Sequence, residues 1–576
     1  MIETANPLRV GVMLDSLTVP AWIAHVLRQL AEAPFVELAL VVLNAEPRPP
    51  APRFARLRSP RRHHLLFQLY ARVDRRVFRR DPDAFAEVAM ADELRSVPKR
   101  EVVPLRPRRF EHRFAAEAID EIRAADLDVL IRFGFNIIRG EILECARYGV
   151  WSYHHGDNRE YRGSPDFFWE MYEGNPVTGT MLGVLTDELD AGRVLYRSFS
   201  ATDPTSMQRG RNPAYWKSAD FVIRRLTDLH QRGWSALESR PEFRETTEYT
   251  KNIYRKPSNG QMLRFVVRLA SGMLARQVRD LVFRDLWYIG YRRIAARRRG
   301  LVPTAAELRV TASDRFRLMG APPGRYWADP FVVHHDGRHH VFFEDYDLAS
   351  GKGVISSACL NGKGVLGPAK LALERDYHLS YPFVFRWDGD WYMTPETGQQ
   401  RAIELFKAVE FPDRWGLERV LMRDVDAVDP TMLEHDGRFW LFANIAVPGA
   451  AIDDELFLFH ADSPRGDWHS HPLNPVVSDV RRSRPAGRVF LRDGMLIRPS
   501  QDCSRRYGFA TVFNRISKLS ETEYEETPIG RLDPGWMRGN RATHTFNGDD
   551  GYEVLDAQRR TFKLLRARQR SMLRRD

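Results

Sequence analysis

Ser152 and His154, two positions apart in VWSYH, are the residues best placed to share a reaction centre. Alternate residues of a strand point to one face, so this pair shares a pocket while Tyr153 and His155 face the other way. A histidine can take a proton from an attacking amine, and a hydroxyl can donate to the oxygen that gains negative charge in acyl transfer. Asp190, in LDAGRVL, adds a candidate carboxylate. The loop HHGDNREYRG adds Asp157, Asn158 and Arg162 as supporting groups. A second set lies far along the chain: Asp329, Tyr381, Asp429, Arg484 and His544 open successive repeats, and Glu396, Asn444 and Asp502 end the paired strands. Glycoside chemistry needs two carboxyl groups, one of them protonated. Asp329, Asp429 and Glu396 offer such carboxyl groups. Arg484 suits a phosphate or carboxylate better than a leaving group.

The elements that must position these residues are legible in part. LRVGVML, VELALVVL and DVLIRFGFNII are apolar runs separated by helical patterns, which predicts a Rossmann-like open parallel sheet covered by helices. Ligands of such sheets bind beyond the carboxyl ends of the strands, where the loop after His154 lies. No GxGxxG is present, so no dinucleotide fingerprint is read. An arginine-rich insertion near 59–96 reads as helical, and from about 206 to 300 the pattern is helical again. From about 310 Asp-Gly pairs recur at Asp336, Asp388, Asp436 and Asp493, with Asn547-Gly548 as a weaker fifth. Pro330, Pro382 and Pro430 each stand six positions before the aspartate of their turn. Asp-Gly between alternating apolar runs is a hairpin signal, and a repeat of some 50 residues built of short strands predicts a five-bladed β-propeller. The expected organisation is an α/β domain over 1–205, a helical connector over 206–305 and the propeller over 306–576.

With 576 residues, several cores are required. The formal net charge of +11 is compatible with an anionic partner, but the basic residues are dispersed and nucleic acid is not expected. The basic tail LLRARQRSMLRRD could touch any polyanion. Three separated cysteines form no metal-binding pattern, so no metal centre is expected. Neither a secretory leader nor a spanning segment is read, which makes the cytoplasm the expected location. The basic amphipathic stretch 261–299 could also meet the inner membrane peripherally.

Residues 149–195 resemble the catalytic core of the formyltransferase family, which includes methionyl-tRNA formyltransferase and the sugar N-formyltransferases. The resemblance rests on His154, Arg162-Gly163 followed by Pro165, Thr178-Gly179, and Leu189-Asp190-Ala191-Gly192. It implies transfer of a formyl group from 10-formyltetrahydrofolate to an amine, with His154 and Asp190 catalytic. Ser152 stands where the family has asparagine; Asn158 could supply an amide instead, and Asp157 a second carboxylate. Residues 310–560 resemble five-bladed glycosidases of the arabinanase and β-xylosidase type, and the N-terminal domain of plant glucosamine inositolphosphorylceramide transferase. Together these imply formyl or related acyl transfer to an amino sugar in bacterial surface-glycan or glycolipid synthesis, the substrate being an amino sugar, nucleotide-sugar or glycolipid. The alternative is a glycosyltransferase- or glycosidase-like propeller with a degenerate formyltransferase domain, or a non-catalytic glycan-binding protein.

Overall fold

A computed structural model describes residues 6–47, 63–108, 110–188, 192–245, 252–294, 316–361, 364–549 and 551–563. The chain divides into two compact units, Met1–Ser271 with Val447–Ala451, and Gly272–Ala446 with Ile452–Asp576. The connector expected over 206–305 is therefore not a unit of its own. Its helices Met207–Ala219 and Phe221–Arg232 pack on a strand of the first unit, whereas Phe283–Arg293 is itself a strand of the second. The basic tail from 564 onward lies outside the described residues, as do 59–62 of the arginine-rich insertion, whose helix is Leu65–Val77.

The first unit is built on a seven-stranded sheet. In chain order its strands are β1 (Leu8–Leu14), β2 (Val36–Asn44), β3 (Lys99–Val102), β4 (Val129–Arg132), β5 (Val150–His154), β6 (Val177–Val184) and β7 (Arg193–Ala201). They lie side by side as β7-β6-β5-β4-β1-β2-β3. The ladders from β3 through β5 are parallel, while β6 and β7 form an antiparallel edge. Two apolar cores result, one on each face: Val12, Ile131 and Trp151 belong to one, Met13, Leu130 and Val150 to the other. That division is the period-two alternation of buried strands made visible. The order reverses between β4 and β1, and the loops after these strands cross closely there. A side chain at Gly134 would place its Cβ 2.5 Å from the Asp15 backbone nitrogen, so the crossing requires glycine.

The second unit consists of five antiparallel sheets in succession, a propeller-like arrangement. The first holds Arg325–His335, Arg338–Asp347, Lys352–Leu360 and Lys370–Leu373. The next three begin with Ser380–Trp387, Ala427–His435 and Phe490–Arg492. The four Asp-Gly pairs are hairpin turns with both residues at positive φ, for example 46° at Asp336 and 72° at Gly337. Asn547-Gly548 differs: both residues lie in the strand Phe546–Gly548, opposite Val554 and Glu553, so the turn falls after them. The fifth sheet joins chain segments from both ends of the unit. Phe283–Arg293 pairs along its whole length with Tyr552–Phe562, from Phe283 opposite Phe562 to Arg293 opposite Tyr552. The helical pattern read over 206–300 thus stops at Val282, and Ile289 and Tyr291 enter a sheet core at strand spacing.

Candidate functional site

In the first unit, Ser152 sits opposite Arg132 in the parallel ladder, and the Arg132 guanidinium donates to Ser152 Oγ at 2.7 Å. Arg132 ends β4 and is a functional candidate that sequence reading missed; its only signal was a cation closing the apolar run DVLIR. His154 Nε2 lies 2.9 Å from the Tyr161 carbonyl oxygen. A carbonyl only accepts, so the Nε2–H tautomer is selected and a neutral ring carries its lone pair on Nδ1. Tyr153 and His155 do face the opposite side. The His155 ring stacks on Tyr215 with centroids 3.6 Å apart, and burial lowers its pKa to about 3.

The supporting residues have partners of their own. Asp157 is clasped by Arg159, with Oδ2 2.7 Å from the guanidinium; burial alone would raise its pKa, but this partner holds it below the usual carboxylate range. The Asn158 carboxamide oxygen accepts from Arg197 at 3.1 Å, which turns the amide toward β7. Arg162 meets Tyr254 through its backbone carbonyl, at 2.8 Å. Leu189, Asp190 and Ala191 lie outside the described residues. A cavity of about 600 Å³ opens instead at the carboxyl ends of β1, β2 and β4, lined by Asp15, Asn44, Glu46, Pro47, Arg106, Phe135 and Asn136. Asp15 Oδ1 accepts from Asn44 and from the Phe135 amide there, at 2.9 and 2.8 Å. Position at the reversal of strand order is where doubly wound sheets take their ligands.

The second unit gathers its predicted residues more closely. Asp329, Tyr381 and Asp429 occupy the same place in three successive sheets, each before a proline, each at a register shift in its strand, and each at φ between 45° and 52°. Positive φ at a non-glycine residue costs about 1–3 kcal/mol and persists where surrounding structure enforces it. Here the surroundings are one another. Asp329 accepts from the Tyr381 amide at 3.3 Å and from Thr545 Oγ1 at 2.8 Å. The Tyr381 hydroxyl lies 2.8 Å from Thr431 Oγ1, and Asp429 accepts from Arg484 Nε at 2.6 Å and Gln501 Nε2 at 2.9 Å.

Charge in this cluster is unevenly held. Burial pushes the Asp329 carboxyl up to about 6, with nearby Asp556 and Asp429 adding to the effect. Burial raises Glu396 well above the usual range, reinforced by the charge of Asp429. Glu344 is raised in the same way by burial and by Asp329. Burial opposes charge on His544, yet Asp556 and Asp329 outweigh it and raise its pKa. Its Nδ1 lies 2.6 Å from Asp556 and its ring stacks on Trp287. Asp329, His544 and Asp556 bring ligand-type atoms within 4.8 Å of one another, a geometry the expectation of no metal centre did not foresee. The Asp556 oxygens accept from the Asp329, His544 and Thr545 amides, and an Asp329 oxygen accepts from Thr545 Oγ1.

Two expectations are corrected. Arg484 does not present its guanidinium to an anionic ligand, because it spans Asp429, Asp453 at 2.8 Å and Glu396 at 3.3 Å. Asp502 does end its strand, Met495–Asp502, and pairs with Arg531, but by the count of eight positions after each turn aspartate the residues equivalent to Glu396 are Glu344, Asn444 and Gln501, so Asp502 is not one of that set. Glu344 was overlooked although that count finds it: it lies opposite Ala328, as Glu396 lies opposite Ser380 and Asn444 opposite Val428.

Glu344→Gln is expected to flatten the pH dependence of stability. A carboxyl raised on folding binds its proton more tightly in the native state, so stability falls as pH rises from the unfolded value near 4.5 toward the higher folded one. Glutamine cannot ionise, so the variant should melt about 2–5 °C above wild type at pH 8 and match it near pH 4. Parallel melting curves at all pH values would remove the assignment.

Residues 305–562 match the family model described as glucosamine inositolphosphorylceramide transferase 1, N-terminal. The chain is 34% identical over 246 residues to the rice protein of that name, covering 42% of this chain and 32% of the relative. It thus spans about a third of the length of the curated relatives it matches first. A methionyl-tRNA formyltransferase from Bartonella tribocorum is 26% identical over 167 residues, 29% of this chain and 51% of that protein. Among solved structures, a family 117 glycoside hydrolase of Zobellia galactanivorans covers 47% of this chain and 90% of its own, at 12% identity and a TM-score of 0.30. That last likeness is too slight to bear on the fold, which rests on the strand pairing above.

Proposed function

We propose that the chain is a glycolipid-directed transferase whose second unit holds the carbohydrate. The observation that supports this reading is the cluster of acidic groups at and beside the proline-flanked bulges, with Asp329, Asp429, Glu344 and His544 buried and Glu396 nearly so, within the region similar to a transferase whose name specifies glucosamine and inositolphosphorylceramide. Neutral carboxylic acids donate to a hydroxyl while ionised ones accept from it, so a polyhydroxyl ring satisfies both kinds. A free phosphate fits poorly, since this set is rich in carboxyl groups and Arg484 already spans Asp429 and Asp453. Glu396 is the group that would protonate the leaving oxygen in glycosyl transfer. A suitable panel is glucosamine, nucleotide-linked amino sugars and inositolphosphoryl lipids. Saturable binding of one of these by the full chain, weakened at least about tenfold in Glu396→Ala, is the expected titration result; unchanged affinity would count against the reading.

A second reading, formyl transfer from 10-formyltetrahydrofolate to an amino sugar, is favoured by the Arg132–Ser152 contact. There a cationic donor stands behind the hydroxyl that replaces asparagine. Under it, His154→Ala abolishes formyl transfer, and formylation at wild-type rate in that variant would eliminate the role.

A further inference from the structure

The helices Leu65–Val77 and Asn259–Val282 carry more than half of the large apolar side chains that are exposed among the described residues. On the first, Leu66, Leu69, Val73 and Val77 recur at three- and four-residue spacing, with Leu69 59% exposed. On the second, within the part that belongs to the first unit, Leu263, Val267 and Ala270 continue the same spacing, with Leu263 61% exposed. Such spacing sets side chains on one helix face. In an ordinary amphipathic helix that face is covered; here only Met262 and Phe265 of the longer helix are buried. These buried residues fasten the helices to the first unit. Tyr70 meets Phe265 with ring centroids 5.4 Å apart, and both Phe67 and Phe265 contact Phe168.

The exposed charged residues beside the stripes are arginines, apart from Asp280 near the end of the longer helix, which pairs with Arg279. Exposed Arg72, Arg75, Arg76 and Arg80 lie beside or just after the first stripe and Arg264 beside the second, while Arg268 is held by the Tyr172 carbonyl and Arg79 by Asp83. We propose that this pair of helices is a docking face for an anionic lipid surface, with the apolar stripes entering the acyl boundary and the arginines reaching the headgroups. Interfacial helices combine these two features, and guanidinium groups on flexible stems reach outward while their stems stay apolar. A second copy of the chain is a poorer occupant, because a symmetric pairing would set the arginines against their own equivalents. No helix among the described residues is long and apolar enough to cross a membrane, so the contact is one of lying on the surface. It places the chain where the lipid moiety of a glycolipid is accessible and does not depend on which unit carries the chemistry.

The test is cosedimentation of the full chain with phosphatidylcholine vesicles, with and without phosphatidylglycerol. The chain should pellet with the phosphatidylglycerol vesicles only, and less as salt is raised. A variant with Leu69, Val73, Leu263 and Val267 all changed to serine should bind at least about tenfold more weakly, with an unaltered melting temperature because those side chains are exposed. Changing Arg72, Arg76 and Arg264 to glutamine should remove the preference for anionic vesicles. Failure of wild type to pellet with anionic vesicles overturns the proposal, as does equal pelleting of the serine variant. A wild-type dimer that the serine changes dissociate, without vesicle binding, overturns it in favour of self-association.

Discussion

Arg484→Ala should lower the melting transition of the second unit by roughly 10 °C at neutral pH. Arg484 is 6% exposed and joins Asp429, Glu396 and Asp453, so its removal leaves the buried Asp429 without its charged partner. Breaking a buried ion pair from one side costs about 3–5 kcal/mol, because the partner's desolvation is no longer offset. At about 2–4 °C per kcal/mol for a domain of this order of size, that cost corresponds to the stated shift. Arg484→Lys should recover only part of it, since an ammonium group cannot span three carboxyls as a planar fork does. The deficit should shrink as pH falls, because protonated carboxyls need no counter-charge. A shift of less than about 2 °C at pH 7, or a deficit that grows in acid, would show that the charge of Arg484 is not what these groups depend on.

Glu396→Gln is expected to lower sugar transfer about 10²- to 10⁴-fold while leaving binding of the carbohydrate nearly intact. Burial and the neighbouring Asp429 raise the Glu396 carboxyl well above the usual range, which favours the protonated form; that form resembles a carboxamide in charge and shape but can give up its proton. Glutamine preserves the hydrogen bond to a sugar oxygen and removes the proton transfer. Initial-rate kinetics with a competent glycolipid acceptor separate the two, as loss in kcat with little change in KM. If KM rises and kcat holds, Glu396 binds the ring and another group acts as the acid.

Legibility of this chain followed how local each signal was. The four Asp-Gly turns were readable because two adjacent residues must both take positive φ, which restricts the residue types directly. Alternation in VWSYH placed Ser152 and His154 on one face without knowledge of the rest of the sheet. Asn547-Gly548 misled because the same dipeptide can sit inside a strand when its neighbours pair there. Phe283–Arg293 was absorbed into the preceding helical pattern because apolar and arginine residues continue across Val282. Its strand state comes from pairing with Tyr552–Phe562, roughly 270 residues away. The partners of Arg484 were illegible for the same reason: Asp453, Asp429 and Glu396 approach from separate segments. Glu344 was within reach, eight residues after Asp336, but only register shows that this count has structural meaning. The pull of Asp157 toward Arg159 and of Asn158 toward Arg197 likewise depends on contacts outside the motif.

The most direct test of carbohydrate binding by the second unit is hydrogen–deuterium exchange of the full chain with and without a saturating glycolipid or amino sugar from the panel. The account predicts slowed exchange at the bulges around Asp329, Tyr381 and Asp429 and at the Arg484 segment, with no change from Ser152 through Arg162. Protection confined to the Ser152–Arg162 loop, with the bulges unaffected, would contradict it.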